Sequence, residues 1–162
     1  MHETGKTIHD AWDELREAED FLRYYSSEGI KLQSDSIVLK GPTGELNELA
    51  YHPKGTFLCI SPWNFPAAIL VGQISAALIT GNNVIAKPSE LASIIGYRVI
   101  ELFYKAGVPK ETLLLILGGA AQGSALSMLD DINGVSFTGS HKTARSINKN
   151  LAQKGGPITP II

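Results

Sequence analysis

Four short stretches of this chain hold residue types able to do chemistry. Cys59-Ile60-Ser61-Pro62-Trp63-Asn64-Phe65-Pro66 sets the only cysteine five residues before an asparagine in a loop with two prolines. Lys87-Pro88-Ser89-Glu90 offers an ammonium and a carboxylate three residues apart. Gly118-Gly119, with Gly123 after it, lets backbone N–H groups approach an anion at a helix start, and Phe137-Thr138-Gly139-Ser140 adds a hydroxyl at another. A lysine for negative charge, a carboxylate to accept ribose hydroxyls and two glycine-bearing turns together outline a dinucleotide site.

Each signal alone has a plainer structural reading. Gly-Gly-Ala-Ala-Gln-Gly (118–123) is neither GxGxxG nor a P-loop and serves equally as a tight turn. Lys87 reads as a solvated lysine, and Glu90 suits the positive end of a helix near Pro88. Cys59 lies near the end of the apolar run Thr-Phe-Leu-Cys-Ile (56–60) with no His, Lys or Arg near it in sequence to lower its pKa, so it is expected to be an inert packing residue. The order of the four stretches along the chain carries the argument.

That order matches the elements needed to position them. Strands are expected at Thr56–Ile60, Val84–Lys87, Thr112–Leu117 and Val135–Phe137. Helices are expected at about 66–80, 89–105, 122–129 and 142–152, with Gly81, Gly107 and Pro109 as stop signals. Ile-Thr-Pro-Ile-Ile (158–162) begins a fifth strand. Strands rich in Leu, Ile and Val alternating with helices predict a parallel sheet covered on both faces. Ligands of such sheets lie at the carboxyl ends of the strands, where all four stretches fall.

Ahead of this unit, residues 7–27 predict an amphipathic helix with an apolar stripe of Ile8, Trp12, Leu15, Ala18, Leu22 and Tyr25. Asp13 with Arg16 and Glu19 with Arg23 are placed to pair on its wet side, and Gly29 serves as its stop. Residues 30–54 read as a connecting ribbon or hairpin. The division is thus 1–54, helix and extended connection, and 55–162, a nucleotide-binding domain.

At 162 residues the chain can bury a core without disulfides or metals. A net charge of −2 with scattered cations excludes a nucleic-acid footprint. The apolar run 67–80 is too short to span a membrane, and one cysteine without a secretory signal makes the cytoplasm the expected compartment.

Cys-Ile-Ser-Pro-Trp-Asn-Phe-Pro (59–66), Gly-Asn-Asn-Val-Ile-Ala-Lys-Pro-Ser-Glu (81–90) and Gly-Val-Ser-Phe-Thr-Gly-Ser (134–140), in this order and spacing, resemble the cofactor-binding domain of the aldehyde dehydrogenase superfamily. Residues 16–29, 72–90 and 156–162 are most similar to the Δ1-pyrroline-5-carboxylate (L-glutamate γ-semialdehyde) dehydrogenase modules of bifunctional PutA-type proline-catabolic proteins. The implied fold class is α/β, a partial Rossmann-like doubly wound parallel sheet with an N-terminal amphipathic helix, truncated at both ends.

The resemblance also implies roles. Asn64 would donate its amide to the oxyanion of the thiohemiacetal. Lys87 and Glu90 would hold the adenosine ribose hydroxyls of NAD, the carboxylate disfavouring a 2′-phosphate, with Ser140 on the pyrophosphate. Ile60, Ser61, Pro62 and Trp63 would line the cofactor cleft, with Ser89, Gly118, Gly123, Phe137, Thr138 and Gly139 at the other strand ends. Between Gly118 and Gly123 the turn is one residue shorter than the family's usual one.

In the family the thiolate nucleophile and the general-base glutamate follow the strand corresponding to 158–162, so the chain is expected to be an inactive fragment. The alternative is an NAD-binding module or half-enzyme that complements a separately encoded C-terminal half. An open sheet edge predicts self-association in either case. A structural or interaction protein on a doubly wound fold is a third reading.

Overall fold

The computed structural model describes residues 1–162. Helix α1 (Ile8–Gln33) is followed by a two-stranded antiparallel hairpin, β1 (Ile37–Leu39) and β2 (Asn47–Leu49). The rest alternates: β3 (Thr56–Ile60), α2 (Ala68–Ile79), β4 (Asn83–Lys87), a 3-10 turn (Glu90–Ala92) running into α3 (Ser93–Lys105), β5 (Leu113–Leu115), α4 (Ala120–Ser127), β6 (Ile132–Phe137) and α5 (His141–Leu151). Strands β3 to β6 form one parallel sheet in the order β5-β4-β3-β6.

The segment 160–162 lies parallel to β6, with Val135 N–H donating to Pro160 O and Phe137 N–H donating to Ile162 O, each at 2.9 Å. It extends the sheet beyond β6 where a fifth strand was expected.

Successive strand residues face opposite sides, and the two faces have separate cores. Cys59 and Ala86 pack with Ala68, Leu70, Val71 and Ile74 of α2 and Val99 and Ile100 of α3. Leu58, Ile60 and Val135 pack with Ile147 and Leu151 of α5. The sheet is therefore wound on both sides, as the alternation of strands and helices predicts.

Helix α1 departs from its expected geometry. Trp12 is 65% exposed and Leu15 58%, with Ile8 and Leu22 also on the solvent side. The inward face is Ala11, Glu14, Ala18, Phe21, Tyr25 and Gly29, so only Ala18 and Tyr25 of the expected stripe belong to it. Close approach to α2 is the reason: a Cβ on Gly72 would meet the Phe21 ring at 3.2 Å, and one on Gly29 would overlap Ile79. Glycine is required where the two helices come closest, with the Phe21 ring packed beside Gly72. Gly29 is thus a contact point inside the helix, which continues to Gln33, and not its stop. Glu19 pairs with Arg23, whereas Asp13 and Arg16 form no ion pair.

Candidate functional site

The parallel register decides which residues meet at the carboxyl edge of the sheet. Ile60 is the partner of Lys87 on one side and of Phe137 on the other, so three strand ends distant in sequence lie side by side. Backbone bonds continue past them, from Ser61 N–H to Lys87 O at 3.3 Å and from Thr138 N–H to Ile60 O at 3.1 Å.

Above these ends opens a cleft of about 540 Å³. Its floor is Ile60, Ser61, Lys87, Phe137 and Thr138, with Pro62 and Trp63 on one rim and Ser89 and Glu90 on another. Gly119, Ala120, Gly123 and Ser124 of the α4 region form one wall. Gly139 and Ser140, with Lys142, Thr143, Ser146, Ile147 and Asn150 of α5, form the adjoining one, tied to the first where Asn150 Nδ2 donates to Ser124 Oγ at 2.9 Å. Twelve of the fourteen site residues read from the sequence line this cleft; Asn64 and Gly118 do not.

Lys87 is buried, only 4% exposed, and its ammonium donates to Pro88 O at 3.1 Å. Burial pushes its pKa below the ordinary lysine value, and the carboxylate of Glu90 works in the opposite direction. The open wall depends on glycines: a Cβ on Gly123 would stand 3.4 Å from Lys87 Cε, and one on Gly119 3.0 Å from Glu90 Oε2. Gly118 supplies backbone conformation, with φ +141°, and a Cβ there would meet the Gln122 side chain at 2.6 Å.

Two helix starts are capped from within. Gly119 N–H donates to Gln122 Oε1 at 3.0 Å, so that donor is engaged inside the chain. Ser140 is the N-cap of α5, its Oγ accepting from Thr143 N–H at 3.2 Å. Ser61 Oγ, in contrast, is buried at the cleft floor without a partner, an orphaned group of the kind a bound polar ligand satisfies. A cleft of this volume with a buried lysine, a rim carboxylate, an unpaired hydroxyl and a glycine wall fits a nucleotide cofactor.

Asn64 lies outside the cleft, exposed on the turn between β3 and α2, and its amide makes no hydrogen bond within the chain. Gln73 of α2 is not among the site residues read from the sequence, yet it donates to Ile60 O at 3.1 Å and to Thr138 Oγ1 at 3.4 Å, joining two strand ends beneath the cleft. Its polar side chain in a mostly apolar helix is the signal that could have marked it.

Cys59 is fully buried on the sheet face opposite the cleft lining of α4 and α5. Burial raises its pKa from the ordinary 9.0 to about 12, leaving a neutral thiol at physiological pH. No group of His, Cys, Asp and Glu side chains is arranged to hold a metal ion, and no helix is long and apolar enough to cross a membrane.

The model of the aldehyde dehydrogenase family matches residues 1–160. The chain belongs to the aldehyde dehydrogenase family. It is 41% identical over its whole length to the bifunctional protein PutA of Escherichia coli (strain K12), and spans 12% of that protein. It is 38% identical to the 1-pyrroline-5-carboxylate dehydrogenase of Anoxybacillus flavithermus, over 94% of this chain and 30% of the relative.

Among solved structures, a mutant of Bradyrhizobium japonicum PutA superposes with a TM-score of 0.95 at 51% identity, over 99% of this chain and 16% of that one. A betaine aldehyde dehydrogenase point mutant from Staphylococcus aureus, in complex with NAD+, superposes with a TM-score of 0.89 at 30% identity, over 98% of this chain and 32% of that one. The fold of this aldehyde dehydrogenase chain is therefore the Rossmann-like nucleotide-binding architecture of its relatives, and the chain spans from about an eighth to a third of their lengths.

Proposed function

We propose that these 162 residues supply the NAD cleft and the oxyanion donor of an NAD-dependent L-glutamate γ-semialdehyde dehydrogenase of proline catabolism. The observation that carries the reading is the convergence of Ile60, Lys87, Phe137 and Glu90 on one cleft, in a chain similar to PutA and to 1-pyrroline-5-carboxylate dehydrogenase. In this reading Lys87 and Glu90 bind the ribose hydroxyls, and the negative charge of Glu90 works against a 2′-phosphate. Ser61, Gly119, Gly123 and Ser140 frame the cofactor's middle, while Ile60, Pro62 and Trp63 exclude water along the floor and rim.

The bound cofactor's contribution is to accept the hydride of the aldehyde carbon. Asn64 donates its amide N–H groups to the oxygen of the same carbon, where removal of one such donor costs about 2.7–4 kcal/mol of transition-state stabilisation. The thiolate is not among these residues. Cys59 is the only cysteine, and it is buried, protonated and turned away from the cleft. The 162-residue chain is accordingly inactive alone.

Calorimetric titration of the folded chain with NAD and NADP tests the cofactor reading: saturable heat with NAD and a weaker response to NADP is expected, and a flat NAD trace from a folded sample removes it. NADH formation from pyrroline-5-carboxylate should stay at the level of a heat-killed control; turnover by the chain alone overturns the assignment of Cys59.

A second reading, pairing with a separately encoded C-terminal half, draws on an apolar groove of about 470 Å³ lined by Phe21, Tyr25, Phe57, Phe137 and Ile162 beside the outer edge of the sheet. Sedimentation of the chain alone, where self-association is expected, and then with the other half added, where a mixed complex in its place is expected, tests this reading; self-association unchanged by the other half removes it.

A further inference from the structure

Helix α2 begins without a cap of its own. Ala67 stands at the N-cap position with no side-chain hydrogen bond, and its first turn contains no acidic residue. A helix start leaves unpaired N–H groups and a partial positive charge, both costly when buried. Glu14, on α1 and 5% exposed, satisfies them from across the helix interface. Its Oε1 accepts from Ala67 N–H at 2.7 Å and from Ala68 N–H at 3.2 Å.

The second carboxylate oxygen of Glu14 is also engaged. Lys6 Nζ donates to Oε2 at 2.6 Å, and the same ammonium lies 3.8 Å from the centroid of the Phe65 ring. A desolvated cation over an aromatic face is attracted to it. Phe65 follows Asn64 directly, and Ala67 is three residues beyond Asn64. One ion pair therefore grips the turn at two points just past its exposed amide.

Upstream of Asn64 the turn is tied to the sheet, through Ser61 N–H to Lys87 O at 3.3 Å. Asn64 itself forms no hydrogen bond within the chain. Its placement is thus set by its flanks, the β3 end on one side and the Lys6–Glu14 pair on the other. An oxyanion donor acts by being fixed in advance where charge develops, and a supporting shell left loose by about 1 Å loses that advantage.

We propose that Lys6 and Glu14 are positioning residues for Asn64: a buried ion pair from the N-terminal segment and α1 holds the Phe65–Ala68 end of the turn and so fixes the amide that the proposed reaction uses. The inference rests on the reading of Asn64 as the oxyanion donor. A buried ion pair is weak evidence for a stability role, because apolar replacements often stabilise as well. Its directional grip on a turn is what the apolar replacement lacks.

The experiment is amide NMR on the full chain, with the Asn64 side-chain pair identified by its loss in Asn64→Ala. In Lys6→Met and in Glu14→Gln, the Ala67 and Ala68 amides should exchange about tenfold faster, the loss expected for hydrogen bonds to a charged group. The Asn64 pair should shift or broaden in both variants, and Lys6→Arg should restore it. Folded Lys6→Met and Glu14→Gln proteins with unchanged Asn64 signals overturn the proposal.

Should these two variants not fold, Glu14→Asp keeps the charge but withdraws it from the Ala67 and Ala68 N–H groups; an unmoved Asn64 pair in that folded variant overturns the proposal equally. NAD titrations run alongside separate the two readings. A flat titration with responsive Asn64 signals overturns the cofactor assignment and leaves the positioning role standing.

Discussion

Glu90 and Gly119 face each other across the mouth of the cleft, so close that a methyl group on the glycine would stand 3.0 Å from Glu90 Oε2 and 3.4 Å from Oε1. They come from different strand ends, 29 residues apart in sequence. Gly119→Ala is expected to push the carboxylate from its seat. With a negative φ at Gly119 the substitution adds no backbone strain, so the thermal midpoint should hardly move while NAD affinity, read by calorimetry, falls about tenfold. Unchanged affinity would remove Glu90 from the cofactor site.

Lys87 is expected to trade stability for cofactor binding. Its pKa is lowered chiefly by burial, so the folded state disfavours the cation relative to the unfolded chain. The sign follows: this penalty is fully present below the lowered folded pKa and is relieved as pH rises from there toward the ordinary 10.5. Lys87→Met should therefore be more stable than the parent at neutral pH in urea unfolding, with the gap closing as the solution becomes alkaline. The same variant should lose about 1.5–3 kcal/mol of NAD binding, the range for hydrogen bonds to a charged group.

Cys59 has the opposite alkaline behaviour. A thiol whose pKa rises from 9.0 to about 12 on folding keeps its proton in the native state while the unfolded chain loses it. Its contribution is complete below pH 9.0 and is lost as pH rises toward about 12. Cys59→Ala should flatten the fall in stability across this window. The native thiol should also resist alkylation at pH 8 until the chain is unfolded, and rapid native labelling would contradict its burial.

Asn64→Ala should be silent in the isolated chain. The side chain is exposed and makes no hydrogen bond within the chain, so unfolding free energy is expected to change by no more than about 0.5 kcal/mol. NAD affinity should also be unaltered, since Asn64 lies outside the cleft lining. A large loss of either would show that the amide has a structural or cofactor contact.

Gly29→Ala should be costly although the residue lies within a helix, where alanine is ordinarily favoured. Its Cβ would overlap the Ile79 side chain where α1 meets α2. Overpacking of this kind costs about 1–3 kcal/mol, measurable as a lower urea midpoint with an unchanged slope.

Much of the fold was legible in the sequence because local rules and tertiary structure agree there. The apolar runs at 56–60 and 84–87 have the length and branching of buried parallel strands, and Gly81 and Gly107, with φ of +81° and +100°, end their helices as the punctuation predicts. Cys59 was readable as packing because nothing near it could stabilise a thiolate. The inward face of α1 was not readable, because periodicity picks out Ile8, Trp12, Leu15 and Leu22 whereas the close approach to α2 sets Ala18 and Gly29 beside Phe21 and Tyr25. Nor was the capping of α2 by Glu14, which depends on a contact across 53 residues.

By itself the sequence determined the alternation of strands and helices, the residue types waiting at each strand end, and the lack of a neighbour in sequence that could activate Cys59, since all three depend on residue types and short spacings. Tertiary structure alone decided which of those ends meet. Parallel register sets Ile60, Lys87 and Phe137 side by side, and alternation along β3 turns Cys59 to the opposite face from Ile60. The physical reason is that the backbone ladder fixes neighbours across the sheet, while side-chain direction reverses at every residue along the strand.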